Sequence, residues 1–479
     1  MEEVLIALGG IFALFLIVIF IRALAFKPLN DVKINDEEIV FDKDKAISNL
    51  QELVRCKTIS YKDSTLEDEK EFEKLINKLP KLYPAVFNTC EFIRFEDRAI
   101  LIKWKGKTNG NPAVMMSHYD VVPVSEELWS VSPFEAVIKD GSLWGRGVAD
   151  TKVTLNGALF SANNLIESGF VPISDIYFAF SGNEEINGKG AINIVNYFKE
   201  NGITPEIVLD EGGAVVTNVF PGVTTPCGLI GIAEKGMIDV EYKCSSNGGH
   251  ASAPKPHTPV GILSSACVKI EKNPFKTHLT KPVKEMFNVL GRKSSFLYRL
   301  IFANLWCFKW VITLLCNKSG GEINAIMRTT VAFTQMKGSS ASNVIPPTAT
   351  MVSNIRLNPE DTVDSALEYL KKTVNDKSVE ISKIHGINPS RISRTDVKGY
   401  DMVATAVAST WKGAIVSPYL MVQCSDSRHY GEISDRVYRF SAMDLTKEER
   451  AGIHGNDERV RIEAIHKSVE FYIRLLKQC

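Results

Sequence analysis

The sequence predicts an α/β protein with a mostly parallel central sheet, interrupted by an α+β insertion and preceded by an apolar helix. Three observations carry this. Apolar strand-like runs alternate with amphipathic stretches between residues 99 and 210. Near Lys235 the texture changes to strands of alternating polarity with two helical stretches among them. After Lys398 the first texture returns. A chain of 479 residues exceeds one ordinary core, so several structural units are expected.

The elements follow in order. Residues 4–21 are apolar apart from glycine, near the minimum for a membrane span, and Arg22 and Lys27 stop the run. A cleavable signal peptide is the rival, because Ala23-Leu24-Ala25 has the small-x-small form of a cleavage site. The start Met-Glu-Glu lacks a positive n-region and Arg22 adjoins that site, which favours an uncleaved single-pass anchor over a secreted product. Two basic residues do not fix the side of the membrane.

Residues 28–42 read as a polar linker, and 45–54 and 67–79 have helical spacing. Short apolar runs at 99–103, 113–117, 175–181 and 206–210 read as strands. Helices at 154–168, closed by Gly169, and at 190–200, closed by Asn201-Gly202, separate the last three. Strand, helix, strand, helix, strand predicts parallel strands covered on both faces. These segments form a first catalytic part, 43–235. Strands at 237–243, 329–335 and 350–357 with helices at 259–272 and 362–374 form the insertion, 236–390. Helices at 402–411 and 456–476 complete the first unit as 391–479. The apolar stretch 296–316 contains Arg299, Asn304 and Lys309, costly at a bilayer centre, so it reads as a buried or interfacial helix of the insertion.

Composition excludes some functions. Lysine plus arginine equals aspartate plus glutamate, 56 against 56, so no global field recruits nucleic acid. The nine cysteines are scattered without a C-x-x-C pair, which predicts buried free thiols, neither a disulfide framework nor a sulfur metal site.

Three predicted strands end in charged groups: the first in His118-Tyr-Asp120, the second just before Glu184-Glu185, the third in Asp210-Glu211. Ligands of open α/β sheets bind beyond the carboxyl ends of the strands. Imidazole and carboxylate without sulfur suit a catalytic zinc. His118 and Asp120 are two apart, so Asp120 can hold one ring nitrogen of His118 while the other meets metal. Asp150 follows Gly145-Arg-Gly147-Val-Ala. Its carboxylate can span two metals, although taken alone it reads more readily as a helix N-cap after a glycine turn. Adjacent Glu184 and Glu185 diverge, so one can bind metal while the other serves as general base. His250, in Gly249-His-Ala-Ser-Ala-Pro254, and His454, in Gly452-Ile-His-Gly455, are further candidates, each also readable as an ordinary loop histidine.

In order and spacing these segments resemble the co-catalytic zinc peptidases that include aminoacylase, carboxypeptidase S, succinyl-diaminopimelate desuccinylase and carnosinase. Ser117-His-Tyr-Asp-Val-Val-Pro123, Leu143-Trp-Gly-Arg-Gly147, Cys424-Ser-Asp-Ser-Arg428 and the apolar insert before Glu322-Ile-Asn-Ala-Ile-Met-Arg328 place it nearest the carboxypeptidase S and N-acyl-amino-acid hydrolase branch. The resemblance implies a di-zinc exopeptidase-like catalytic domain with a lid or dimerisation domain. It implies two zinc ions, with cobalt or manganese as substitutes: His118 and Asp210 on one, Glu185 and His454 on the other, Asp150 bridging. Glu184 would be the general base, Asp120 the orienting partner and His250 the oxyanion donor, across a homodimer. Arg356 and Arg428 would grip a substrate carboxylate and Asn343 would add a polar contact, although Gly338-Ser-Ser-Ala-Ser342 departs from the family's Gly-x-Lys-like pattern. The implied reaction cleaves an amide next to a free carboxylate, in a small peptide or an N-acyl amino acid. The other class of reading is a catalytically inactive, membrane-anchored binding protein of the same fold.

Overall fold

Strands covered by helices on both faces need apolar side chains on both, and Ala113–His118 and Ile176–Ser181 are buried at every position. The computed structural model describes residues 1–29 and 32–479; residues 30 and 31, in the expected linker, lie outside the described residues. Eight strands form the main sheet in the spatial order Glu91–Arg94, Ile100–Trp104, Ile176–Ser181, Ala113–His118, Ile207–Val216, Val437–Asp444, Cys227–Glu234, Ile415–Met421. Ala113 pairs with Ile176 on one side and Ile207 on the other, both in parallel. This is the strand–helix–strand progression that the sequence predicts.

The sheet is nevertheless mixed, which corrects the expectation of a mostly parallel one. Ile100–Trp104 runs antiparallel to Ile176–Ser181 and to Glu91–Arg94. Only residues 105–112 join it to Ala113–His118, too short a connection for a parallel crossover, which takes a dozen or more. Four strands of this sheet, Glu91–Arg94, Cys227–Glu234, Ile415–Met421 and Val437–Asp444, escape the sequence reading. Glycines and Pro418 interrupt two of them, and fully buried strands carry no alternation.

Val153–Glu167 and the last helix, Ile462–Leu476, pack against each other and both against the sheet. Their approach is close at Gly157, where a Cβ would come within 2.9 Å of the Tyr472 ring. The last helix begins at Ile462, later than expected, because Arg459–Arg461 forms a strand against Ser142–Trp144.

A second sheet, wholly antiparallel, has the order Thr330–Lys337, Thr348–Leu357, Gly236–Ser245, Val379–Ile387. Gly236–Ser245 alternates buried and half-buried residues, and helices Pro259–Lys272 and Val363–Val374 cover the buried face. Its entry and exit are stitched together: Ser390 N–H donates to the Glu234 carbonyl at 3.2 Å and Glu234 N–H to Ser390 Oγ at 2.8 Å.

The stretch 281–327 departs from the expected insertion. Val283, Met286, Phe287 and Leu290 on Lys281–Lys293 join Leu229 and Leu420 of the first sheet, not the second. The expected helix over 296–316 is two, Phe296–Ala303 and Leu305–Ser319, bent by 114° at Asn304. The N-terminal helix, Glu2–Ala25, is long and apolar enough to cross a membrane.

One buried ion pair holds these parts. Arg439 Nε donates to Glu234 Oε1 at 2.6 Å, both side chains 1% exposed. Glu234 also accepts from Ser425 N–H and from the Ser425 and Ser427 hydroxyls. Burial alone would raise the Glu234 carboxyl, but Arg439 and Arg428 hold it below the usual range. Removing one partner strands the other charge, so Arg439→Met is expected to cost roughly 3–5 kcal/mol, read as a lower urea midpoint. An unchanged midpoint would show that the pair is dispensable.

Candidate metal centre

Strand ends deliver the reactive groups. His118 is the last residue of its strand, Glu184 and Glu185 begin a short turn beyond Ser181, and Glu211 lies within Ile207–Val216. Asp150 sits in a tight turn opened by Gly147, whose φ of 79° is in the left-handed region that favours glycine. His454 precedes the Arg459–Arg461 strand.

Asp150 lies between two imidazoles, one carboxylate oxygen for each. His118 Nε2 is 2.9 Å from Oδ1 and His454 Nε2 is 3.0 Å from Oδ2. His454 Nε2 is also 3.2 Å from Glu185 Oε2, and His118 Nε2 is 3.5 Å from Glu211 Oε1. Two groups, His118–Asp150–Glu185 and His118–Glu184–Glu211, each bring three candidate donor atoms within 4.8 Å of one another.

Asp120 organises this edge twice over. Its carbonyl faces His118 Nδ1 at 3.0 Å, leaving Nε2 toward the cluster. Its carboxylate accepts from the N–H groups of Glu184 (3.1 Å) and Glu185 (3.2 Å) and from Ser60 Oγ (2.8 Å). A partner on the far ring nitrogen fixes the tautomer of a metal-binding histidine.

Two residues correct or extend the expected set. Asp210 is buried, and its Oδ2 accepts from Ser427 N–H at 3.0 Å, whereas its neighbour Glu211 lines the cavity. Glu211 Oε1 lies 3.5 Å from His118 Nε2, at a point where the ladder skips Glu211 and Gly212. Glu458 was missed by the sequence reading. Wholly buried, it accepts from the N–H groups of Gly147 (3.0 Å), Ala149 (2.8 Å) and Asp150 (3.2 Å) and pairs with Arg146 at 2.7 Å. It thereby shapes the turn that aims Asp150. No local signal marks it, since its partners lie some 310 residues away.

Crowded carboxylates perturb one another. Burial pushes Glu211 up to about 8, and the Asp150 charge adds to the effect. Burial also drives Glu184 well up and raises Glu185. For Asp150 burial acts upward too, but the imidazoles of His118 and His454 outweigh it and hold the carboxyl low. Hydrogen bonds to Asp150 and Glu185 raise His454 to about 10. The donor set fits divalent cations: nitrogen and oxygen without sulfur, with Glu185 Oε1 buried and lacking any hydrogen-bond partner.

A cavity of about 460 Å³ opens from Asp150, Glu184, Glu185, Glu211 and His454. Its lining also includes the apolar Val216, Val219, Leu229, Met443, Leu445 and Ile453, with Glu322, Ser441 and Arg450 among them. Near it, Nε and Nη1 of Arg428 are buried without hydrogen-bond partners, and Nη2 donates to Asn187 Oδ1 at 3.4 Å. Arg356 Nη1 contacts the sulfur of Cys424, a cavity-lining residue, at 3.7 Å. His250 and Asn343 stand apart. Both are exposed on the second sheet's rim, where Ala251 N–H donates to the Asn343 carbonyl and His250 Nδ1 faces Ser252 Oγ at 2.8 Å. Neither lines the cavity.

A mixed α/β sheet whose strand ends gather imidazoles and carboxylates at one cavity defines a metal-dependent hydrolase. The chain belongs to peptidase family M20/M25/M40, whose sequence pattern matches residues 114–478. It is 34% identical over 429 residues to a probable carboxypeptidase S-like 2 of Dictyostelium discoideum, covering 88% of this chain and 82% of that protein. It is 35% identical over 445 residues to the N-fatty-acyl-amino acid synthase/hydrolase PM20D1 of Xenopus tropicalis, covering 91% and 86%. The fold is shared with an M20 family metallo-carboxypeptidase, Sso-CP2, of Sulfolobus solfataricus (TM-score 0.68, 18% identity, covering 90% of this chain and 98% of that one). Human carnosine dipeptidase 1 has the same fold (TM-score 0.65, 13% identity, covering 91% and 96%). These relatives confirm the resemblance read from the motifs, and the inactive binding-protein reading has no support.

Two outcomes are expected. Glu458→Gln should weaken metal affinity about 10–100-fold, measured by chelator competition, because it loosens the turn carrying Asp150. In metal-free protein, Glu211 holds its proton more tightly folded than unfolded. That contribution to stability is complete below about 4.5 and lost as pH rises through about 8. Added zinc should therefore raise the melting temperature more at pH 8 than at pH 5.5, and a pH-independent rise would contradict this assignment.

Proposed function

We propose that this protein hydrolyses the amide bond of N-acyl amino acids bearing long acyl chains. One observation carries the choice: the cavity that holds the carboxylate and imidazole cluster also has apolar wall residues, Val216, Val219, Leu229, Met443, Leu445 and Ile453. A dipeptide needs no such wall, whereas an alkyl chain gains about 0.8 kcal/mol per buried methylene. The guanidinium of Arg428, whose Nε and Nη1 lack hydrogen-bond partners, matches the free carboxylate of the amino-acid product half, and Arg356 touches the cavity-lining Cys424.

Glu184 is the proposed general base. Burial holds its carboxyl well above the usual range, which suits a group that takes a proton from water and passes it to the leaving amine. His118, Asp150, Glu185, His454 and Glu211, in place of Asp210, are the proposed ligands of two divalent cations, zinc by preference. Such ions supply Lewis-acid polarisation of the carbonyl and acidify water. Asp120 keeps His118 Nε2 and both glutamates aimed at the cluster. His250 and Asn343 are proposed to reach a neighbouring copy's site through a homodimer of the second sheet, His250 as the oxyanion donor. The N-terminal helix is proposed as an uncleaved membrane anchor.

The test is hydrolysis by the full chain of N-acetyl, N-oleoyl and dipeptide substrates, each with a free carboxylate, with and without chelator. N-oleoyl substrates should exceed N-acetyl ones in kcat/KM by at least about tenfold, given the gain per buried methylene. Dipeptides preferred over both would favour a carboxypeptidase or dipeptidase. Glu184→Gln should lower kcat about 10²–10⁴-fold while metal content is unchanged.

A further inference from the structure

Beyond the N-terminal helix, residues 296–318 present a cluster of exposed apolar side chains that the reaction leaves unexplained. Leu297, Trp306, Trp310 and Leu314 are 71%, 61%, 66% and 58% exposed, and Tyr298 is exposed beside them. Neither arm can span a bilayer: eight and fifteen residues reach about 12 and 22 Å, against a core of about 30 Å.

The bent pair is bound to the N-terminal helix at defined points. Phe15 meets the edge of Trp306 with ring centroids 5.9 Å apart, and Phe20 meets Phe296 at 5.5 Å. At the bend, wholly buried Asn304 donates to the Ile19 carbonyl at 3.0 Å and accepts from Arg22 Nε at 3.1 Å. Arg22 Nη2 donates to the Ala303 carbonyl at 3.2 Å. The polar residue that is costly in a span is thus spent on joining the two apolar elements. Phe15 lies seven positions before Arg22, so Trp306 sits about 10 Å along the helix from that charge, well inside one leaflet of any bilayer the helix crosses.

Charge identifies the partner. Between Glu285 and Glu322 the chain has Arg292, Lys293, Arg299, Lys309 and Lys318 and no acidic residue. A second copy would present the same positive face to itself. Anionic headgroups complement it, and tryptophans flanked by lysine and arginine are the side chains that settle at a bilayer surface.

We propose that Phe296–Ala303 and Leu305–Ser319 dock into one leaflet of an anionic bilayer beside the N-terminal helix, seating the catalytic body on the membrane. The proposal rests on the N-terminal helix being a span and is independent of the substrate. It places the catalytic cavity at the surface, because Glu322, three residues beyond Ser319, lines that cavity.

The experiment uses the full chain in vesicles of phosphatidylcholine and phosphatidylserine. Carbonate extraction first reports on the N-terminal anchor, which contains no tryptophan. Fluorescence quenching by acyl-brominated lipid then reports on the bent pair, since Trp306 and Trp310 are exposed while Trp104, Trp129 and Trp144 are buried and Trp411, half-buried, is unchanged in the variant below. Brominated lipid should quench a component that vanishes in Trp306→Phe/Trp310→Phe, a conservative variant checked by its circular dichroism. That quenching should weaken when phosphatidylserine is omitted. If the protein resists extraction and this component is quenched by aqueous iodide instead, the face lies in water and the proposal fails. If neither agent quenches it, a protein surface covers the face, and the proposal fails equally.

Discussion

The structure depends on confining several carboxylates and two imidazoles to one small volume, largely buried although His454 stays half exposed. Asp150, Glu184, Glu185 and Glu211 repel one another at close range, and burial makes each charge costlier still. The imidazoles of His118 and His454 answer part of that repulsion by meeting opposite oxygens of Asp150. The carboxyls of Glu184, Glu185 and Glu211 remain raised, and an unpartnered Glu185 oxygen shows that the protein's own donors do not complete the site. Divalent cations are the chemistry such a donor set fits.

Holding the cluster open requires a second row of groups. Asp120 spends both its carbonyl and its carboxylate on it, and Glu458 gathers three backbone N–H groups of the Asp150 turn. Asp210 ties the strand beside Glu211 to Ser427, and Glu234 with Arg439 fixes the same 425–428 segment from below. Arg428 emerges from that segment with donors to spare. The buried ion pair therefore links the sheet, the start of the insertion and the side chain suited to a substrate carboxylate.

Function and placement meet along 281–327. This stretch abandons the second sheet because the apolar face of Lys281–Lys293 finds Leu229 and Leu420, while Phe302 packs on Phe220 and Phe287. It then turns at Asn304 toward the N-terminal helix and returns to the cavity rim at Glu322. The charged cavity rim at Glu322 and the apolar outer surface of 296–318 are thus parts of one chain segment.

Much of this was legible beforehand. Period and turn chemistry marked the central strands and helices, and His118, Asp150, Glu184, Glu185 and His454 were recognisable from strand-end position and family spacing. That Glu211 and not Asp210 lines the cavity was not, because which of two neighbouring acids faces it depends on strand orientation within the sheet. Nor was Glu458, whose partners are distant in sequence, nor the bend at Asn304, which requires the N-terminal helix to complete its hydrogen bonds. Sequence by itself determined which residues carry chemistry and which stretches are apolar, since these are properties of side chains and their local period. Tertiary structure alone decided which acids meet, which stay apart and where each apolar face points, because those outcomes depend on contacts between segments hundreds of residues apart.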